Sequence, residues 1–225
     1  LYEKIRQNGV PFVLTWRLSR QADRPSISFD NYAAAYSAVS YLISLGHRRI
    51  ALICGRSDVN DRALERRQAY EAALAAEGLP LDRRLVHERD FDFLEGRAAM
   101  RALAELEEPP TAVFCANDIQ AVGALSECHD RGLAVPERLS IVGFDDLAVA
   151  QYTIPKLTTV RVPAADMGRR AAQGLIAFLD GGTPLTSMEL QTDLVVRQST
   201  APLRPAPPAP ARPPSRPRPR RQPSP

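Results

Sequence analysis

Residues 111–147, TAVFCANDIQAVGALSECHDRGLAVPERLSIVGFDDL, decide the fold of this chain. The β-branched and aromatic run 111–115 predicts a buried strand, and 140–144 predicts a second. Between them, Asn117 is a candidate N-cap of a helix that ends at Gly132. Strand, helix and strand within about 35 residues predict a parallel βαβ unit with a right-handed crossover.

Strands and helices alternate through the rest of the chain as well. Alternation of this kind over about two hundred residues predicts an α/β fold with parallel sheets. Asn31 is the predicted cap of a helix that ends at Gly46. Further strands are predicted at 10–15, 26–29, 49–54, 84–88, 157–162 and within 188–196, and further helices at 61–77, 94–106 and 165–179.

The two strands of the βαβ unit are followed by polar side chains, Asn117 and Asp145. In open α/β sheets, ligands bind at the carboxyl ends of the strands. A carboxylate accepts hydrogen bonds from two hydroxyls and an amide both donates and accepts, so the pair suits a polyol. The alternative is that both residues only cap helices. We expect Asp118 and Asp146 to be structural, bonding nearby backbone amides.

Two arginines open the helix that follows strand 49–54. Arg62 and Arg66 are four residues apart and share a helix face, so both side chains can reach one crevice. The alternative for Arg66 is a surface ion pair with Glu65 or Glu71, which would contribute little.

Charge is distributed unevenly along the chain. The net charge is +3, but residues 201–225 contain six arginines, eleven prolines and no acid. Without them, 23 basic and 26 acidic residues remain, a net charge of −3 that gives no reason to expect the globular part to bind nucleic acid. We expect 201–225 to be a disordered Pro/Arg-rich tail, either a solvated extension or a basic arm for nucleic acid or acidic partners.

Other classes of protein lack support. The sequence has no glycine-rich phosphate loop and no Gly-x-Ser-x-Gly elbow, and its three histidines and three cysteines lack metal-site spacing. We therefore expect neither an enzyme nor a cofactor. Three cysteines in apolar segments suit a reducing cytoplasm, and no apolar run approaches the length of a membrane span.

Five collinear blocks of this sequence resemble the LacI/GalR family of transcription regulators. They are LGHRRIALI (45–53), PTAVFCANDIQAVGAL (110–125), LAVPERLSIVGFDD (133–146), PKLTTVRVPAADMG (155–168) and DLVVRQST (193–200). The resemblance implies a two-lobed, periplasmic-binding-protein-like type I fold with a small effector in its cleft, and a homodimer. It implies a first lobe of 1–46 and 157–180, which we expect to be incomplete, and a second lobe of 47–156 and 181–200.

The resemblance also implies roles for individual residues. Asp145 resembles the family's ligand carboxylate, and Arg66 the arginine that faces ligand hydroxyls or carboxylates. Phe91 aligns with an aromatic that stacks on the ligand, although it could equally be a core residue. Asp30 resembles an acidic position of the first lobe, or is only a turn residue. Trp16 stands where many relatives carry an acid before an arginine, and this departs from the family pattern.

The function implied is that of an effector-sensing and dimerisation domain, with a sugar as the effector. Operator DNA would be contacted only through an N-terminal helix-turn-helix, which we expect to be missing from this chain. The alternative is a solute-binding protein that delivers a sugar to a transporter.

Overall fold

The computed structural model describes residues 2–203, so the tail predicted at 201–225 lies almost wholly outside the described residues. Helices and strands alternate over this range, as the α/β prediction requires. The helices are α1 Tyr2–Gln7, α2 Asn31–Ser44, α3 Asp61–Ala76, α4 Phe93–Ala104, α5 Asp118–Asp130 and α6 Ala164–Gly181. The strands are β1 Ile27–Ser28, β2 Ile50–Cys54, β3 Val86–Glu88, β4 Ala112–Cys115, β5 Ser140–Asp145, β6 Thr158–Arg161, β7 Met188–Glu189 and β8 Asp193–Val195. None of the described helices combines the length and apolar character of a bilayer crossing.

The main sheet has six strands in the order β3-β2-β4-β5-β6-β8. Five strands are parallel and only β8, at one edge, is antiparallel. The predicted βαβ unit is confirmed, because α5 connects the neighbouring parallel strands β4 and β5. Every residue of β2 and β4 is buried, which explains why the central strands are continuous apolar runs.

Helices cover both faces of this sheet. On one face, α2 contributes Ala38, Val39 and Leu42 and α3 contributes Tyr70 and Leu74 to one apolar cluster with strand residues such as Leu52 and Phe114. On the other face, α4 and α5 form a second apolar cluster with the alternate strand residues. Successive side chains of a strand point to opposite faces, so each central strand contributes to both clusters.

A second, two-stranded sheet pairs β1 with β7 in parallel. The helix α6 packs on it, and the local apolar cluster contains only Ile27, Met167 and Ala171 as buried residues. We call residues 31–161 and 193–203 the larger lobe, and residues 2–28 and 164–189 the smaller lobe. The chain passes between the lobes three times, at 29–30, 162–163 and 190–192.

This division corrects the predicted lobe boundaries in three places. Helix α2 was expected in the first lobe, but its apolar stripe packs on the main sheet. Strand β6 was also expected there, yet it lies between β5 and β8. Strand β7 was expected in the second lobe but pairs with β1. The segments that cross between lobes are only two or three residues long, too short for the sequence to mark them.

Two local predictions were also wrong. Residues 10–15 form a single bridge, Leu14 to Ser26, instead of a strand. The cap of α2 is Asp30, whose carboxylate accepts a hydrogen bond of 2.8 Å from the amide of Ala33, and Asn31 is the first helical residue. Two roles were considered for Asp30, a ligand-site acid and a turn residue. The structure places it at the turn before α2, where it caps the helix.

His47 anchors the end of the described chain at the amino-terminal edge of the main sheet. Its Nε2 lies 3.0 Å from the hydroxyl of Ser140 and 3.1 Å from the carbonyl of Ala201. Two residues further, the Leu203 amide donates to the Leu45 carbonyl at 2.8 Å. The chain therefore reaches residue 203 at the edge opposite to Asn117 and Asp145.

Candidate ligand-binding site

Asn117 and Asp145 lie side by side at the carboxyl-terminal edge of the main sheet. The Asn117 side-chain oxygen accepts a hydrogen bond of 2.9 Å from the Gln120 amide, which confirms it as the N-cap of α5. Its Nδ2 donates to Asp145 Oδ2 at 3.5 Å. Capping and orienting the carboxylate are therefore compatible roles, and the two readings of Asn117 do not exclude each other.

The backbone turns sharply at the end of β5. Asp145 has a φ of 114° and Asp146 a φ of 52°, both in the region that favours glycine. Such conformations persist where surrounding contacts impose them. The Asp146 carboxylate accepts hydrogen bonds from Arg161 at 2.7 Å and from Arg197 at 2.5 Å. Asp146 is thus structural, as expected, but through guanidinium groups rather than backbone amides.

The Asp118 carboxylate holds the same turn through two hydrogen bonds. Its Oδ2 accepts a hydrogen bond of 2.7 Å from the Leu147 amide, as predicted for a structural residue, and its Oδ1 accepts one of 2.6 Å from the Thr159 hydroxyl. Gly143 makes room for it, because a Cβ there would lie 2.2 Å from Asp118 Oδ1. Burial raises the pKa of Asp118 to about 7, against the opposing effect of these two hydrogen bonds.

Arg66 enters the same edge from α3 and is almost fully buried. Its Nε donates to Asn31 Oδ1 at 3.0 Å, and its NH1 donates to the Ala116 carbonyl at 2.5 Å. The guanidinium carbon lies 3.8 Å from the centre of the Phe144 ring, a cation–π contact. NH2 lies 3.8 Å from Asp145 Oδ1. The surface alternative for Arg66 is therefore wrong, since Glu71 pairs with Arg67 instead.

The ion pair of Arg66 and Asp145 leaves one carboxylate oxygen without a hydrogen bond in the described part of the chain. Burial raises the pKa of Asp145 to about 6, although the Arg66 charge and the Asn117 hydrogen bond act against that rise. Burial lowers the pKa of Arg66 to about 10, and Asp145 opposes this change. Among the described residues, none forms a hydrogen bond to the buried Asp145 Oδ1. A buried polar atom without a partner is rare in folded proteins and marks a place for a further group.

Phe91 closes the site from the loop after β3. A Cβ on Gly55 would lie 2.2 Å from the tip of the Phe91 ring, so the ring rests directly on the backbone of Gly55. The Gln120 amide group donates to the carbonyls of Arg89 and Asp90, which holds the loop. Phe91 remains 45% exposed, so it lies at the rim of the pocket and is not a core residue.

These side chains line a single concavity of about 320 Å³. It is lined by Trp16, Asn60, Arg62, Arg66, Phe91, Asn117 and Asp145. The structure thus brings together every predicted site residue except Asp30, which caps α2.

Asn60 was not predicted. It caps α3 by accepting from the amides of Arg62 and Ala63, and an asparagine before a helix at a strand-end edge, the pattern of Asn117, was the available signal.

Two lobes joined by three crossovers, with a polar pocket between them, define a bilobed small-molecule-binding domain. Residues 39–200 match the family described as periplasmic binding protein-like domain. The chain is 37% identical over 196 residues to the HTH-type transcriptional repressor CytR of Escherichia coli K12, covering 87% of this chain and 57% of CytR. It is 41% identical over 207 residues to the HTH-type transcriptional regulator MalR of Streptomyces coelicolor, covering 89% of this chain and 59% of MalR.

A solved structure extends this comparison. The LacI family transcriptional regulator from Enterococcus faecium with bound ribose matches with a TM-score of 0.80 and 27% identity, covering 90% of this chain and 74% of that one. The chain therefore belongs to the LacI family of transcription regulators, through its periplasmic binding protein-like domain. It spans less than two thirds of the length of the curated relatives.

Proposed function

We propose that this chain is the effector-sensing domain of a LacI-type transcription regulator and that its effector is a sugar. The observation that carries the proposal is the buried Asp145 Oδ1, which lacks a hydrogen-bond donor among the described residues and belongs to a residue lining the pocket. Sugar hydroxyls are donors of the right kind. One of the matched structures holds ribose, which supports the same class of ligand.

The other lining groups suit a polyol as well. The two guanidinium groups of Arg62 and Arg66 offer donors, and the Asn60 and Asn117 amides line the same wall. The exposed ring of Phe91 offers a flat apolar surface, which suits the face of a pyranose or furanose. A pocket of about 320 Å³ is at the small end for ligand sites and fits a monosaccharide better than a longer saccharide.

The alternative, a solute-binding protein that serves a transporter, is disfavoured by the relatives. Both curated relatives are named as helix-turn-helix regulators. We propose accordingly that operator DNA is a partner only through a helix-turn-helix segment, that the domain works in the cytoplasm, and that it is not an enzyme. Effector binding would act by favouring one arrangement of the lobes, and the size of the response is set by the difference in affinity between arrangements.

We also propose a homodimer as the working form. The segment after β5 exposes large apolar side chains: Tyr152 is 82% exposed and Ile154 is 93% exposed. Leu147 is exposed beside them. Apolar groups clustered in this way on the larger lobe suit association with a second copy. Ile154→Glu should convert a dimer to a monomer in sedimentation velocity, and an unchanged dimer would exclude this surface.

Calorimetry with a panel of monosaccharides, beginning with ribose, tests the ligand proposal. For a sugar that binds the unaltered chain, Asp145→Ala should weaken binding by about 1.5–3 kcal/mol, roughly ten- to a hundredfold in Kd, the range for hydrogen bonds to a charged group. Asp180→Ala on the exposed end of α6 is the matched control and should leave Kd unchanged. Equal affinity of Asp145→Ala and the unaltered chain would remove Asp145 from the site. Binding of no sugar in the panel would reject the ligand class.

A further inference from the structure

Asn31 joins the two lobes through a single buried side chain. It is 1% exposed, and its Oδ1 accepts a hydrogen bond of 3.0 Å from Nε of Arg66 in the larger lobe. Its Nδ2 donates to the backbone carbonyl of Trp16 in the smaller lobe at 3.0 Å. Because Asp30 caps α2, Asn31 has no capping duty at this helix end. The side-chain amide accepts through its oxygen and donates through its nitrogen, so one residue can bond both partners at once.

Trp16 is the point at which the smaller lobe receives this contact. Its backbone has a φ of 66°, an unfavourable value for a bulky residue that persists only under constraint. Its amide donates to the sulfur of Met167, which is buried on α6, at 3.3 Å. The side chain packs against apolar clusters of both lobes. A shift of the Trp16 loop would therefore also displace Met167 and the start of α6.

A second path connects the same two residues through aromatic rings. The Trp16 ring packs edge-on against Phe29, with centroids 6.1 Å apart, in the first crossover segment. Phe29 contacts Phe144 at 6.2 Å, and Arg66 lies over Phe144. The contacts form a closed circuit of Arg66, Asn31, Trp16, Phe29 and Phe144. In a closed circuit, neither Arg66 nor Trp16 can move alone without breaking a contact.

We propose that Asn31 is a positioning residue that transmits the position of the pocket-lining Arg66 to the Trp16 loop of the smaller lobe. This inference rests on the proposed function and extends it. A ligand that binds Arg66 would change the contact between Asn31 and the Trp16 loop, and so the contact between the lobes. The coupling itself is a property of the chain without ligand. It can therefore be measured whether or not a sugar binds.

The sole tryptophan of the chain is the reporter. Asn31→Asp keeps an acceptor for Arg66 but replaces the donor to the Trp16 carbonyl by an oxygen. Loss of one hydrogen bond should raise the population of the displaced Trp16 loop about two- to tenfold, seen as stronger acrylamide quenching and a shifted emission maximum. Ser37→Asp is the matched control. It adds the same charge to the exposed face of the same helix, at a residue that does not line the pocket, so it should leave the Trp16 emission unchanged.

A double-mutant cycle then tests transmission. Arg66→Lys removes the Nε donor and should alter Trp16 quenching in the unaltered chain. In the Asn31→Ala background the same change should alter Trp16 quenching much less, because only the aromatic path through Phe144 and Phe29 remains. Circular dichroism and melting curves establish that each variant is folded. If Asn31→Ala does not fold, Asn31→Asp serves as the background, where Arg66→Lys should again change quenching less than in the unaltered chain, because the hydrogen bond to Trp16 is already lost.

Two results would overturn the proposal: Trp16 quenching in Asn31→Asp equal to that of Ser37→Asp, or additive effects of Arg66→Lys and the Asn31 substitution. Non-additive quenching together with failure of every sugar titration would keep the coupling and reject the ligand class. The two proposals therefore fail independently.

Discussion

The larger and smaller lobes contain the same kinds of element but differ in how fully those elements are covered. In the larger lobe, the central strands β2 and β4 are wholly buried between two layers of helices. In the smaller lobe, two strands of two residues each carry one long helix, and β7 is exposed. A parallel sheet is stable when both of its faces are covered, and only the larger lobe meets that condition.

Helix α6 of the smaller lobe is mostly exposed. It has eighteen residues, but only Met167 and Ala171 are buried. Ile176 is 57% exposed and Leu179 is 67% exposed. At about 25 cal/mol per Å² of apolar surface, side chains left in water contribute little to folding. Stability should therefore be concentrated in the larger lobe, and the proposed ligand pocket lies at the border between the more stable and the less stable lobe.

Hydrogen exchange offers the largest expected effect. Amides of β2, β4 and β5 should exchange at least about a thousandfold more slowly than those of residues 10–28 and of the distal half of α6, because buried strands open only with the whole lobe. Helix α2 should be protected with the larger lobe. Similar protection in both lobes at high protein concentration, lost on dilution, would mean that a second copy covers the smaller lobe. Similar protection at every concentration would contradict the comparison.

A smaller effect, on the pH dependence of stability, should come from the buried carboxyl group of Asp118 at the carboxyl-terminal edge of the main sheet. The folded pKa of Asp118, about 7, lies above its ordinary value, so the folded state binds the proton more tightly. The contribution of Asp118 to the free energy of unfolding should therefore fall as pH rises from about 4 to about 7 and then level off. Asp145, whose pKa is raised to about 6, adds a decline of its own. Asp118→Asn removes only the Asp118 contribution and should raise stability at pH 8 by about 1–3 kcal/mol.

Asp180 provides the matching substitution in the smaller lobe. It is exposed near the end of α6, so Asp180→Asn should change the free energy of unfolding by no more than about 0.5 kcal/mol at any pH. Denaturant titrations at pH 4.5 and pH 8 distinguish the two variants. Equal effects at both pH values for Asp118→Asn would show that its carboxylate is not the source of the pH dependence.

The positions of the proposed site residues were more predictable from sequence than the lobe boundaries. Asn117, Asp145 and Arg66 follow strands or open a helix at a strand end, and the geometry of a parallel sheet forces such positions to one edge. That rule needs no knowledge of distant contacts. The strand predicted at 10–15 failed because a strand requires partners along its length, and this segment has one bridge, to Ser26.

The contacts between lobes were beyond sequence reasoning for a different reason. Asn31 was interpreted as a cap because asparagine before an apolar helix is usually one. Its actual partners, Arg66 and Trp16, are 35 and 15 residues away and belong to separate lobes. Lobe boundaries failed in the same way, since the crossover at 162–163 continues directly from a buried strand into a helix.

The attachment of residues 201–203 beside His47 has a practical consequence for making a biosensor. Strands of four to six residues at about 3.3 Å per residue separate that edge from the pocket, a distance of roughly 13–20 Å. Cys54, Cys115 and Cys128 are buried, and burial raises the pKa of the Cys54 and Cys128 thiols to about 12. A cysteine introduced at Leu203 would thus be the reactive thiol for a maleimide dye, and the dye would sit clear of the pocket opening while remaining attached to the same rigid sheet.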